Sequence, residues 1–137
     1  MKQQADQIPL LRSFTDYVIF VEDVALDLHN DYECLKIVYD GTSLSLEMKS
    51  IREGHDLEIT FEDVAIQTLS CLTQELQDVV TIDQLYRGSW PLEDRLIDLD
   101  DRRRGYFYLD FVSGVSLEFW TRSVEVTSTS LRCSVRF

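Results

Sequence analysis

Glycine and proline are scarce in this sequence, five and two of 137 residues, which excludes a collagen-like chain. The glycines Gly41, Gly54, Gly88, Gly105 and Gly114 stand singly and mark turns, so no glycine-rich phosphate loop is present. Cysteine is limited to Cys34, Cys71 and Cys133, an odd count at wide spacing, which excludes a disulfide framework and a Cys-x-x-Cys site. Reduced, structural thiols in a cytoplasmic protein are the expectation. The two histidines, His29 and His55, have no cysteine or second histidine at ligand spacing, so neither zinc nor any other cofactor is expected. No Gly-x-Ser-x-Gly nucleophile elbow occurs. Apolar runs are short: Val18 to Val21 is a strand core, and no run reaches the length of a membrane-spanning helix. Residues 1–7 are polar, so no secretory leader is expected. Positive charge is the remaining shortage, with 13 Lys+Arg against 25 Asp+Glu and a formal charge of -12. A net anion repels phosphate backbones and anionic lipid surfaces, so neither nucleic acid nor membrane is an expected partner.

Apolar side chains are plentiful. Hydrophobic residues make up 45% of the chain, enough for a single domain over residues 1–137 with its own core. Their dominant pattern is alternation. Leu35, Ile37 and Tyr39 share one strand face, as do Leu44, Leu46 and Met48, and Asp40-Gly41 between them reads as a tight hairpin turn. Leu57, Ile59 and Phe61 repeat the pattern. Phe107, Leu109 and Phe111 follow, then Ser113-Gly114, then Val115, Leu117 and Phe119, and the chain ends on Val124, Val126, Leu131, Cys133, Val135 and Phe137. A period of two over so many segments means half-buried antiparallel strands.

The fold class expected is therefore α+β and mostly antiparallel β: a strongly bent sheet or a sandwich, with one or two helices in the middle of the chain. Phe14 to Leu28 is rich in β-branched and aromatic residues and is read as strand, although a helical face through Phe14, Val18, Val21, Ala25 and Leu28 also fits. Ala65, Leu69, Leu72 and Leu76 recur at helical spacing, which predicts a helix over Asp63 to Asp78; a second, short one is expected around Ile82 to Tyr86. From Arg87 to Gly105 alternation fails, and a long irregular connection is expected there. Leu57 to Val64 faintly echoes Leu117 to Val124.

The function expected is non-enzymatic. Asp98, Asp100 and Asp101 lack the glycine of a calcium loop, and Arg102-Arg103-Arg104 follows them at once. Charge is uneven: residues 1–101 carry 22 acids and 7 bases, residues 102–137 carry 3 acids and 6 bases. An acidic field of this kind steers a basic partner. Glu93, Asp94, Asp98, Asp100 and Asp101 are the candidate charge partners, with Trp90 beside Pro91 as an anchor. With Phe107, Leu109 and Phe111 turned inward, Tyr106, Tyr108, Asp110, Ser116, Glu118 and Trp120 turn outward. Tyr106, Tyr108 and Trp120 are residue types that dominate interface hot spots, and they complete the candidate docking set. Alternatively, that face is covered as a second core layer.

In size, acidity, lack of catalytic motifs, and the segment Leu57-Glu58-Ile59-Thr60-Phe61-Glu62-Asp63-Val64 followed by a meander over 106–137, the chain resembles bacterial immunity proteins encoded beside polymorphic or contact-dependent toxins. The resemblance implies one-to-one binding of a cognate toxin domain, often a basic nuclease, by occlusion of its basic site. Two alternatives stand beside it. One is a structural or chaperone-like subunit that forms a homodimer, or holds a partner segment, through Tyr106, Tyr108 and Trp120. The other is an enzyme built on paired carboxylates.

Overall fold

The computed structural model of the chain describes residues 18–21, 24–52, 54–70, 81–92, 95–98, 100–112, 114–128 and 132–137. All the regular elements among them are strands. In chain order they are β1 (Val18–Val21), β2 (Val24–Asp27), β3 (Tyr32–Tyr39), β4 (Leu44–Ser50), β5 (Leu57–Glu62), β6 (Ala65–Ser70) and β7 (Ile82–Arg87). Then come β8 (Ser89–Leu92), β9 (Arg95–Asp98), β10 (Asp100–Asp101), β11 (Arg104–Phe111), β12 (Ser116–Thr121), β13 (Ser123–Thr127) and β14 (Arg132–Arg136). One five-stranded sheet runs β14-β13-β5-β4-β3; the other runs β10-β11-β12-β6, with β7 beside β10 on the same edge of β11. β1-β2 and β8-β9 are separate two-stranded ribbons, and all pairings are antiparallel.

One hydrophobic cluster fills the space between the two main sheets. Leu44, Leu46, Met48, Leu57, Ile59, Phe61, Val124 and Val126 enter it from the first sheet; Phe107, Leu109, Leu117, Phe119, Ile82 and Leu85 enter from the second. These are the inward positions of the alternation, so period two is what supplies the core. Phe61 sits at the seam. Its ring lies 4.9 Å from Phe119 and 5.7 Å from Phe107, both edge-on. Burying a side chain of this class contributes roughly 1.5–3 kcal/mol, and edge-to-face pairs add about 0.5–1.5 kcal/mol.

The sheets are joined by two strands that pass from one to the other. β5 leaves the first sheet at Glu62 and continues as β6 in the second; β12 leaves the second at Thr121 and continues as β13 in the first. The crossings lie side by side and run in opposite directions, because β5 pairs with β13 and β6 with β12. Leu57–Val64 and Leu117–Val124, the two segments that echo one another in sequence, are these crossings. Asp63 takes the bend with a positive φ of 53°. Thr121, the one buried polar side chain among the described residues, secures the bend: its hydroxyl lies 2.7 Å from the Glu62 carbonyl and 3.0 Å from that of Ser123. The Arg122 N–H donates to the same Glu62 carbonyl at 2.9 Å, and the Phe137 N–H to the Arg122 carbonyl at 2.8 Å. Sheet-switching corners of this kind are how two packed sheets share strands.

The expectation of mid-chain helices is corrected. Residues 65–70 form β6 and residues 82–87 form β7; residues 71–80 lie outside the described residues. The physical reason differs in the two places. Ala65 and Leu69 are four apart, a helical spacing, but the ladder with β12 skips Gln67, so Ala65 registers with Trp120 on one face and Leu69 with Leu117 on the other. Ile82 and Leu85 are three apart, as on a helix. Here the ladder skips Asp83, pairing Phe111 with Ile82 and Asp110 with Gln84, and this bulge lets both apolar residues reach the core. The stretch expected to be irregular, Arg87 to Gly105, holds β8, β9 and β10. Among the described residues β8 pairs with β9 alone, so Pro91 stands on an edge strand, where proline is tolerated. Of the segment Phe14 to Leu28, Val18–Val21 and Val24–Asp27 are strands paired antiparallel, while residues 14–17 and 22–23 lie outside the described residues. The Asp40-Gly41 turn is present, with Gly41 at a φ of 94° and the Asp40 carboxylate accepting the Thr42 and Ser43 N–H groups at 2.8 Å each.

Candidate protein-docking site

The outward face of β11 and β12 brings together the aromatic residues anticipated from sequence. Register places Tyr106 opposite Trp120, Tyr108 opposite Glu118 and Asp110 opposite Ser116. β7 extends the same rows with Tyr86 beside Tyr108 and Gln84 beside Asp110. The Tyr106 ring centre is 4.7 Å from that of Trp120 and 5.3 Å from that of Tyr108. Its hydroxyl donates to Glu118 Oε1 at 2.7 Å. Tyr106 is 8% exposed, packed under its neighbours, whereas Tyr108, Trp120, Glu118 and Asp110 are half-buried and present the accessible surface. The result is a rigid aromatic platform flanked by carboxylates.

The electrostatics of the platform are one-signed. Burial pushes the Asp110 carboxyl above its ordinary value, and the nearby charges of Asp83 and Glu118 push it further the same way. Burial and the hydrogen bond to Glu118 raise Tyr106, and burial with the Glu118 charge raises Tyr108. No basic residue registers on this face between Tyr106 and Asp110 among the described residues. Arg104, next in line on β11, is drawn away to Asp63, whose Oδ1 it meets at 2.8 Å.

The acidic stretch anticipated further upstream is only partly brought to this place. Asp100 and Asp101 form β10, opposite Gly105 and Arg104 at the end of β11. Asp98 lies in β9 opposite Ser89, and Trp90 in β8 opposite Ile97, both in the separate ribbon. Glu93 and Asp94 lie outside the described residues. The meander 106–137 divides between two sheets, because the chain bends at Arg122. Arg132, Ser134 and Arg136 therefore belong to the other sheet and do not share a face with Tyr106. Asp110 and Glu118 are the acids that accompany the aromatics; their parity with Tyr108 was the signal that singles them out.

A second concave feature lies at the corner: a cavity of about 320 Å³ lined by Thr42, Ser43, Glu62, Asp63, Arg122, Ser123 and Arg136. Asp63 ties the start of β11 to the bend between β12 and β13, holding Arg104 through one carboxylate oxygen and Arg122 through the other, each at 2.8 Å. The Arg104 hydrogen bond, with the charges of both arginines, holds its carboxyl below the ordinary range. The lining carries two acids and two arginines, so its charges balance, and its clearest work is to pin the bend. Sequence reasoning missed this cluster because Arg104 and Arg122 lie 41 and 59 residues from Asp63 along the chain, and only the fold brings the three together. Among the described residues, no three His, Cys, Asp or Glu side chains converge as metal ligands. Cys34 is buried, its thiol pushed up to about 11 by desolvation, and its Sγ lies 3.6 Å from the Lys36 carbonyl. That is the environment of an inert structural thiol. No helix among the described residues is long and apolar enough to cross a membrane.

No protein family, curated protein or solved structure matches the chain.

Proposed function

We propose that this chain is a non-enzymatic protein-binding module that docks a basic protein domain on the outward face of β11 and β12, and that it acts as an immunity-like inhibitor of a cognate toxin. One observation carries the reading: Tyr106, Tyr108 and Trp120 form a contiguous platform beside Asp110 and Glu118, with no cation registered among them. A guanidinium or ammonium group satisfies both halves of that surface. It stacks on the rings and meets the carboxylates in charge-assisted hydrogen bonds. The overall charge of -12 steers such a partner from a distance. Packing around Tyr106 fixes the rings before binding, which lowers the ordering cost of association.

The test is the protein encoded immediately upstream. The reading expects a large toxin with a basic terminal domain that binds this chain one to one. Trp120→Ala should weaken that complex by roughly 30-fold or more, the scale of an interface hot spot. Glu118→Gln should weaken it and flatten its salt dependence. Absence of a complex with that domain, or a complex indifferent to both changes, rejects the reading.

A further inference from the structure

Among the described residues β3 is an edge strand of the first sheet; its bulge lies at Leu35, and beyond it Lys36–Tyr39 run in regular register with β4. Its second half, Leu35-Lys36-Ile37-Val38-Tyr39, carries one charge and no proline. Leu35, Val38 and Tyr39 are between 42% and 44% exposed, a run of large apolar side chains on a strand with one open side. We propose that this edge pairs with the same edge of a second copy of the chain, antiparallel, joining two five-stranded sheets into one across a two-fold axis at Val38.

The register follows from the hairpin. The Asp40 N–H donates to the Ser43 carbonyl at 3.2 Å, so Asp40 turns its backbone groups toward β4. Backbone direction alternates along a strand, so Val38 and Lys36 do the same, while Ile37 and Tyr39 turn their N–H and C=O groups to the open edge. With the axis at Val38, Ile37 of each copy meets Tyr39 of the other as a hydrogen-bonded pair. Both positions register against the buried Leu46 and Leu44 of β4, so the new pairs extend the core face of the sheet. On the opposite face Val38 meets Val38, and Lys36 of each copy meets Asp40 of the other. Those two ion pairs select the arrangement. An axis at Lys36 sets Lys36 against Lys36, and an axis at Ile37 leaves Lys36 opposite Val38 with no charge to meet. Local complementarity of this kind is needed, because each copy carries a net charge of -12 and repels the other at long range.

Sedimentation velocity of the full chain from about 1 to 100 μM, the range expected of a modest interface, reads the association. A dimer is expected. Lys36→Glu, an exposed change that sets Glu against Asp40, should weaken it about tenfold or more. Val38→Cys should give a disulfide-linked dimer on mild oxidation, since directly opposed Cβ atoms lie about 4.5–5.5 Å apart. Lys36→Cys should not, because its counterpart is four residues away along the strand, about 13 Å. Circular dichroism confirms that each variant is folded. A chain that stays monomeric through this range overturns the proposal. So does a dimer that Lys36→Glu leaves intact or that Val38→Cys fails to link, which would place self-association on another face.

Discussion

Thr121→Val probes the corner that lets two sheets share strands. The side chain is fully buried, and its hydroxyl lies within hydrogen-bond distance of the Glu62 and Ser123 carbonyls. It has one proton, so it satisfies one of them at a time. Valine keeps the shape and the β-branch, so no cavity opens; what is lost is the hydrogen bond. The Glu62 carbonyl retains the Arg122 N–H at 2.9 Å and is not orphaned. That confines the loss to about 1–2 kcal/mol. For a chain of 137 residues, the expected fall in melting temperature is roughly 3–7 °C. Thr121→Ser keeps the hydroxyl and loses a methyl group, a change of about 1 kcal/mol. Thr121→Ala loses both and should be the least stable of the three. Differential scanning calorimetry or urea unfolding of the four proteins settles the order. A valine variant as stable as the parent would refute the claim that this hydroxyl secures the bend.

The remaining expectations concern other parts of the same scaffold. A Cβ added at Gly105 meets Arg87 Nε at 2.9 Å and the Phe137 ring at 3.1 Å, so Gly105→Ala should cost about 1–3 kcal/mol in urea unfolding. A neutral result there means Phe137 does not seat against β11. Asp63 has a lowered carboxyl pKa, so the stability it confers is full above the ordinary value of 3.8 and is lost as pH falls through the folded value. Asp63→Asn should therefore lower stability at neutral pH and make the melting temperature less sensitive to acid below pH 3.8; parallel pH profiles for the two proteins contradict this. With its thiol raised to about 11, Cys34 should resist alkylation at neutral pH in the native chain and react readily in denaturant, as peptide mass mapping would show. Rapid native labelling of Cys34 would contradict its burial.

Much of the core was legible from residue alternation alone. Phe107, Leu109, Phe111, Leu117 and Phe119 announce their inward face through size and spacing, and the outward placement of Tyr106, Tyr108 and Trp120 follows by parity. Gly41 and Asp40 disclose their turn through local chemistry, a positive φ and a side chain that accepts two N–H groups. The long-range features were hidden for a physical reason. Nothing local at Glu62-Asp63 or Arg122 says that the strand continues in another sheet, since the bend is held by Thr121 and by arginines from elsewhere in the chain. The helices expected over 63–78 and 82–86 arose from spacings of four and three. The first is broken in β6 by a bulge at Gln67 that sets Ala65 and Leu69 on opposite faces, and the second is met in β7 through a bulge at Asp83. The acids of residues 93–101 drew notice by density, yet density does not report position. Asp110 and Glu118, fewer and plainer, are the ones set beside the aromatic platform.

The most direct test of the functional account is backbone amide chemical-shift mapping of this chain as a basic toxin domain of the proposed kind is added. The account expects the largest changes within residues 104–111 and 116–121, with the Trp120 indole signal among them. Changes confined to the outward side of the β14-β13-β5-β4-β3 sheet, or none at saturation, would contradict it.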